Sequence, residues 1–345
     1  MYYSILFYVL FTYPLFKKIS NKKTIIFLEV FPIFLILAFQ NAIGTDYYNY
    51  IKIFNGEKFF DYSKGPLFKL IIICLKNIFN HQRSMFIVMA AIQITLFYKI
   101  LNILYKKNLI KNIPLFIFLF ITTTGFYYNL FNILRNSIAS LFAILSILIL
   151  LENKNKKSLF LILLGSGFHP SIIIWNGIFI VKNFFYIKYK KGLMIIYILI
   201  CFLLNKLNLI PNIARIIYET EINIPYRNYL ISKHMFPYIK SYGIGAIINM
   251  IIFTSFLSII YKQEKNKRKI FIYNIGYLFF GLSLLFANIP IFNRLLEPSN
   301  LFRTYIIYNL TKKLLSKKYL YLGIFLMVYY ILYFIRGSFL IIPAT

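Results

Sequence analysis

The sequence predicts an all-α fold: a polytopic integral membrane helical bundle of about ten transmembrane helices, with a broken or re-entrant helix around 165–171. Three observations carry that reading. The chain is 60% hydrophobic and 20% aromatic over 345 residues, more apolar surface than a globule in water can keep while still covering itself with polar groups. Apolar runs of about 17–22 residues recur, divided by short Lys/Asn clusters. Finally, GSGFHPS at 165–171 interrupts one run with two Gly and a Pro, which weaken or break a helix.

The elements follow in order. Residues 1–16 form a short first span with no basic region before it and no small-residue cleavage site after it, so it reads as a retained helix. KKISNKK at 17–23 is cytoplasmic, because cytoplasmic loops carry the Lys/Arg excess, and the N-terminus then lies outside. Residues 24–39 return across the membrane. Residues 40–65 emerge as an outer loop whose three lysines are balanced by Asp46, Glu57 and Asp61. Residues 66–79 are apolar but short and interrupted by Lys69 and Lys76, as expected of an interfacial or half-inserted helix.

Residues 83–104 span inward to YKKNLIKN, 113–130 span outward, and Arg135 opens a helix over 134–151 that runs inward to ENKNKKS at 152–158. The segment 158–182 is long enough for one crossing, but a single crossing would put the basic loop KNFFYIKYKK at 182–191 outside. A re-entrant hairpin returns that loop to the cytoplasm and holds His169 near mid-depth. Broken backbone is tolerated there only against protein or a water-filled cavity, which makes 165–171 a cavity wall.

Further on, 192–210 span outward and 211–241 form the longest polar stretch, external and partly helical. Residues 242–261 return to KQEKNKRK, 270–289 go out, and PIFNRLLEPSN at 290–300 is external. A short span near 301–314 leads to KKLLSKK, and 319–335 finish the chain. With no repeat of fixed period and no low-complexity tail, residues 1–345 read as a single polytopic membrane domain, with outer loops near 40–65, 211–241 and 290–300.

The formal charge of +30 sits in short clusters between apolar runs rather than along one stripe. That pattern excludes nucleic acid as a partner and points to anionic membrane lipid. The abundance of Lys, Asn, Ile, Phe and Tyr also fits an AT-rich genome. Cys74 and Cys201 both lie in apolar runs and read as small buried hydrophobes rather than a disulfide or metal site.

Ionisable residues in or beside the apolar runs are few, and at membrane depth such groups are costly and by default functional. Arg135 stands at a helix start, where the positive end of the helix dipole disfavours a cation. It is either an Arg snorkelling to outer headgroups or a guanidinium fork held for a phosphate or carboxylate. His169 is either a core histidine bonded to neighbouring backbone or a functional group beside the break, with Pro170 and Ser171. Asp46 in GTDYYNY suits a helix cap in a loop as well as a functional role. Arg294 and Arg303 flank the outer end of a span with Glu297 between them, either as a structural salt bridge or as cations for a ligand. His81 and His234 lie in loops without ligand-like companions.

No phosphate-binding glycine loop, dinucleotide turn, HExxH or Cys cluster is present, so no cofactor is expected. The nine carboxylates include no Asp-x-Asp or Glu-x-Asp pair in an outer loop. A metal-dependent sugar transferase wants such acidic ligands, so no metal is expected and any bound diphosphate would be neutralised by arginine.

GTDYYNY at 44–50, FNILRNSIA at 131–139 and FHPSIII at 168–174 resemble, in the same order, motifs of the EpsG family of bacterial polysaccharide proteins. That family shows a Gly-Thr-Asp-Tyr-like stretch, an Asn-x-x-Arg-Gln-x-x-Ala-like helix and a Phe-His-x-Ser-like segment. Arg294 in IFNRLL resembles the family's late Arg, and the likeness runs over roughly 40–310. It departs at Asn136, where the family usually has Gln, one amide for another.

What the resemblance implies is a Wzy-like polymerase, akin to those making O-antigen, capsule or exopolysaccharide. Such a protein joins oligosaccharide repeat units carried on undecaprenyl diphosphate at the outer face of the bacterial cytoplasmic (inner) membrane. It uses no nucleotide sugar and no evident metal. On that implication Arg135, Arg294 and Arg303 bind the diphosphate, and His169 activates the acceptor hydroxyl or contacts the leaving phosphate. Asp46 orients one of these groups or serves as the base, and Tyr47 and Tyr50 stack on sugar rings. The implied partners are the lipid-linked oligosaccharide, membrane lipid, a chain-length regulator and a flippase. The rivals are a flippase or transporter of the same lipid-linked unit, another membrane glycosyltransferase, and a membrane acyltransferase. A flippase should show paired broken helices in two halves, and one break is visible.

Overall fold

In the computed structural model, residues 8–9, 21–44, 46–57, 65–219, 244–287, 290–316 and 319–339 are described, and every regular element among them is helical. In chain order come α1 (Lys22–Ala38), α2 (Tyr47–Asn55), α3 (Pro66–Phe79), α4 (Arg83–Lys106) and α5 (Ile113–Thr123). Next are α6 (Phe126–Asn132), α7 (Leu134–Leu150), α8 (Asn155–Phe168), a 3-10 turn at Pro170–Asn176, and α9 (Gly177–Phe185). Then follow α10 (Lys191–Lys206), α11 (Leu209–Glu219), α12 (Ile244–Ile259) and α13 (Lys267–Leu285). The order ends with α14 (Pro290–Leu295), α15 (Ser299–Leu314) and α16 (Leu320–Phe339). The expected first span at 1–16, apart from residues 8 and 9, and the polar stretch beyond 219 lie outside the described residues.

The Lys/Asn clusters do more than carry charge. Asn21, Asn112 and Asn266 each accept a first-turn backbone N–H, from Lys23 (3.1 Å), Leu115 (3.1 Å) and Arg268 (3.0 Å), and so start α1, α5 and α13. Asn80, Asn108, Asn153 and Asn208 take left-handed φ values of 42°, 55°, 60° and 51° just past α3, α4, α7 and α10. Asn tolerates that conformation better than most residues, so it closes helices as well as opening them.

The chain divides into two compact units, 1–180 with 311–345, and 181–310. At the centre of the first lies α7, buried along its whole length except at Arg135 and Phe142. A helix apolar all round belongs inside a bundle. It packs on α4 and α8, while α4 also holds α1, α3 lies on α8, and α16 lies on the wholly buried α5. Helix α8 comes close to α7 because small residues meet there: a Cβ on Gly165 would stand 3.0 Å from Phe142 Cβ and 3.2 Å from the Ala139 carbonyl. Gln93 of α4 donates to Ser137 Oγ of α7 (2.8 Å) and to the Leu130 carbonyl (3.0 Å), pinning the start of α7.

One expected span changes shape. Residues 113–130 are not a straight helix, because α5 and α6 meet at 69°. The cause is TTTG at 122–125. Thr122 and Thr123 back-bond to the Phe118 and Leu119 carbonyls (2.9 and 2.6 Å), and Thr124 turns extended (φ −135°, ψ 153°) and accepts from Phe126 N–H (3.4 Å). Among the described residues, Arg83–Lys106 and Ile244–Gln263 are long and apolar enough to cross a membrane, and the bent pair makes a third if it is one span. Leu134–Leu150, Pro170–Phe185 and Leu320–Ile335 are shorter apolar helices. Cys74 departs from expectation: it is exposed, on the side of α3 away from the buried Phe68, Ile72 and Leu75, whereas Cys201 is buried, and both are free thiols.

In the second unit α10 packs on α13. Gly281 leaves room for the Tyr197 ring, whose hydroxyl donates to the Leu278 carbonyl (2.7 Å). The buried Asn274 amide donates to the Phe185 and Ile187 carbonyls (2.8 Å each) and accepts from the Tyr261 hydroxyl (2.8 Å). Its single side chain therefore ties the basic loop after α9 to the turn after α12.

Candidate functional site

The break in the 158–182 segment falls at one residue. Pro170 disfavours helical backbone for the residue before it, and His169 accordingly stands extended (φ −150°, ψ 120°) between α8 and the 3-10 turn. Its Nδ1 lies 2.6 Å from Ser171 Oγ, and that hydroxyl donates to Asn136 Oδ1 at 3.2 Å. Asn136 is buried on α7, immediately after Arg135.

Two glycines bring the separated motifs together. Gly44, at φ +89°, is pressed against Asn132, so a Cβ there would overlap the Asn132 side chain. A Cβ on Gly65, where α3 begins, would lie 2.6 Å from the Phe168 carbonyl oxygen and 3.4 Å from Arg135 Nη1. The stretches 44–50, 131–139 and 168–174 thus meet in the first unit at the head of α7, with the start of α3 between them.

Arg135 is held there. Its guanidinium carbon lies 5.5 Å from the centre of the Phe68 ring, a cation–π distance, and Phe68 packs edge-on to Tyr50 at 5.8 Å. Burial pushes the Tyr50 phenol up to about 12; the adjacent Arg135 charge opposes the shift and Asp46 adds to it. Tyr50 is therefore neutral at physiological pH and offers its oxygen lone pairs to the guanidinium. Asp46 occupies the residue before α2, yet its side chain makes no capping hydrogen bond.

The remaining expected residues fall as follows. Tyr47 is 8% exposed, with its ring stacked on Phe86 at 4.9 Å and its hydroxyl donating to Asn41 Oδ1 (3.3 Å). Tyr50 is 5% exposed, whereas Tyr48 between Tyr47 and Asn49 is 58% exposed. Arg294 and Arg303 belong to the second unit. Arg294 is exposed in the last turn of α14. Arg303 on α15 donates to Asn300 Oδ1 (3.3 Å) and stands over Phe280 at 5.3 Å, and the nearby Glu297 is buried. Among the described residues no three His, Cys, Asp or Glu side chains come together as a metal site.

Sequence reasoning missed Gly65 and Phe68, which lie in no motif and meet Arg135 only through the tertiary fold. Asn136 and Ser171 stood inside the quoted motifs, and their spacing to Arg135 and His169 was the available signal.

A family model for EpsG matches residues 23–342, nearly the whole chain. The chain belongs to the EpsG family. No curated protein and no solved structure matches it. EpsG membership, together with apolar helices whose large side chains face outward (Ile180 86%, Ile244 77% and Tyr321 89% exposed), makes this a membrane protein of polysaccharide biosynthesis. The EpsG family is associated with polysaccharide polymerisation, which suggests a glycosyltransferase-like enzyme acting on a lipid-linked sugar.

Proposed function

We propose that this EpsG-family chain is a Wzy-like polymerase. It transfers undecaprenyl-diphosphate-linked oligosaccharide repeat units onto one another at the outer face of the bacterial cytoplasmic membrane, which it crosses about ten times. The observation that carries the reading is the meeting of Arg135 and the His169 break at the head of α7. A cation and a potential base are what glycosyl transfer from a diphosphate requires.

In the proposed reaction the acceptor sugar's hydroxyl oxygen attacks the anomeric carbon of the growing chain. A new C–O glycosidic bond forms, the bond from that carbon to the diphosphate oxygen breaks, and the lipid diphosphate leaves with the bonding electron pair. His169 takes the hydroxyl proton, with Asp46 as the alternative base or as the group that orients the acceptor. Arg135 meets the charge growing on the leaving oxygens, a role in which losing one preorganised donor costs about 10²–10³ in rate. Tyr50 and Phe68 hold that guanidinium, so the sugar-stacking role passes from the buried Tyr47 and Tyr50 to the exposed Tyr48. Arg294 and Arg303 are proposed as anion-binding residues of the second unit, each to be tested by itself. No metal and no cofactor enters the scheme, and a flippase and a chain-length regulator are its proposed cellular partners.

A flippase for the same lipid-linked unit is the second reading: the helices are also interrupted at Thr124, although in the same unit as the His169 break rather than in a second half. The two readings separate in a deletion strain complemented with wild type, Arg135→Ala or His169→Ala at matched membrane levels, with surface glycan resolved by size. Single repeat units at the surface in the deletion and both mutants support the polymerase. Lipid-linked units retained inside support the flippase, and normal long chains in both mutants remove Arg135 and His169 from the site.

A further inference from the structure

We propose that Ser171 and Asn136 are positioning residues that fix the protonation site of the His169 ring, holding the proton on Nδ1 and the lone pair on Nε2. A serine hydroxyl has one proton to give, and that of Ser171 goes to Asn136 Oδ1 at 3.2 Å. The 2.6 Å approach of Ser171 Oγ to His169 Nδ1 then needs a proton from the ring, so Nδ1 carries it. The backbone N–H of Ser171 also points at Nδ1, but at 3.4 Å it is the longer contact, and leaving Nδ1 as an acceptor would take the Ser171 hydroxyl proton away from its 3.2 Å bond to Asn136 Oδ1.

The chain Nδ1–H to Ser171 Oγ–H to Asn136 Oδ1 ends on a residue 2% exposed on the central helix of the unit. The ring is thereby tied to α7, the helix that carries Arg135. A ring so oriented keeps its basic nitrogen on the edge away from Ser171, as a base that must take a hydroxyl proton requires. The role rests on the polymerase reading, but the tautomer does not.

The test exploits the chain's three histidines, His81, His169 and His234. The full chain, labelled with ¹⁵N-histidine and reconstituted in lipid, is compared with its His169→Gln variant so that the His169 ring signals are assigned by difference. The expected result is a neutral ring protonated at Nδ1, opposite to the Nε2–H form that histidine prefers in water. Ser171→Ala should return it to the Nε2–H form, and Ser171→Thr, which keeps the hydroxyl, should hold Nδ1–H. In the complemented strain Ser171→Ala should shorten the glycan and Ser171→Thr should restore its length. An Nε2–H ring in the wild type overturns the proposal whatever the glycan shows. An Nδ1–H ring with full-length glycan in Ser171→Ala overturns the positioning role, and does so without touching the polymerase reading. Should Ser171→Ala fail to reach the membrane, Asn136→Leu, which removes the Oδ1 acceptor of the Ser171 hydroxyl, takes its place with the same outcomes.

Discussion

Gly65 and the Phe168 carbonyl are in direct backbone contact, with no room for even one methyl group: a Cβ on Gly65 would stand 2.6 Å from that oxygen. The same Cβ would come within 3.4 Å of Arg135 Nη1. Gly65→Ala should therefore displace the start of α3 from the end of α8 and move Arg135 with it. A misplacement of about 1 Å in a catalytic group can cost about 10² in rate. The expected outcome is severe loss of long glycan chains at normal membrane levels, checked by sizing the surface glycan.

Arg135→Lys tests whether the fork or only the charge matters. Lysine keeps a positive charge but cannot offer the planar pair of donors or the same stacking on Phe68. On the proposed polymerase role, chain extension should fall in Arg135→Lys by about 10² or more, close to the Arg135→Ala loss. Tyr50→Phe keeps the ring packed on Phe68 and removes only the hydroxyl beside the guanidinium. Its cost should be near that of one hydrogen bond to a charged group, about 1.5–3 kcal/mol. A matched glycan assay ranks the three variants.

The closure of α7 on α8 rests on a serine pair. Ser146 and Ser158 each donate to the other's backbone carbonyl, at 2.8 and 2.7 Å, with both hydroxyls buried. Hydrogen bonds between membrane helices average about 0.6 kcal/mol and reach about 1.7 kcal/mol. Ser146→Ala and Ser158→Ala should each lower the melting temperature slightly. The double variant should lose less than the sum of the two, because the two hydroxyls also meet Oγ to Oγ at 2.7 Å and either single change already removes that shared contact.

At the turn after α7, Glu152 sits between Lys107 (2.7 Å) and Lys154 (2.6 Å). Its hydrogen bonds to Lys107 and then Lys154 hold the carboxyl down at about 2, against an ordinary 4.5. The folded value lies below the unfolded one, so the contribution to stability is whole above about pH 4.5 and is lost as pH falls toward 2. Lys107 matters more than Lys154, which is 60% exposed and so better screened. Thermal melts in detergent from pH 7 to pH 3 should show wild type losing its advantage over Glu152→Gln as the pH drops.

Much of the helical order was legible in the chain. The apolar runs at 24–39, 83–104, 134–151 and 270–289 correspond to α1, α4, α7 and α13, and the break at GSGFHPS falls where Pro170 constrains His169. The bend at Thr124 was not legible. Three threonines fit a helix or a break equally well until their hydroxyls choose partners. Hydropathy also could not tell α5 and α7, buried in protein, from helices that face lipid, because both kinds are apolar.

The site divides in the same way. Local chemistry by itself determined that Arg135 opens a helix, that His169 sits at a break and that Asp46 precedes a helix, since each follows from residues within a turn of it. Tertiary structure alone decided that Tyr50 and Phe68 hold the guanidinium, that Gly65 lets α3 reach Phe168, and that Ser171 links His169 to Asn136. These pairings join residues on different helices. A helix's period dictates which side chains share a face, while which helix meets that face depends on how all of them pack together.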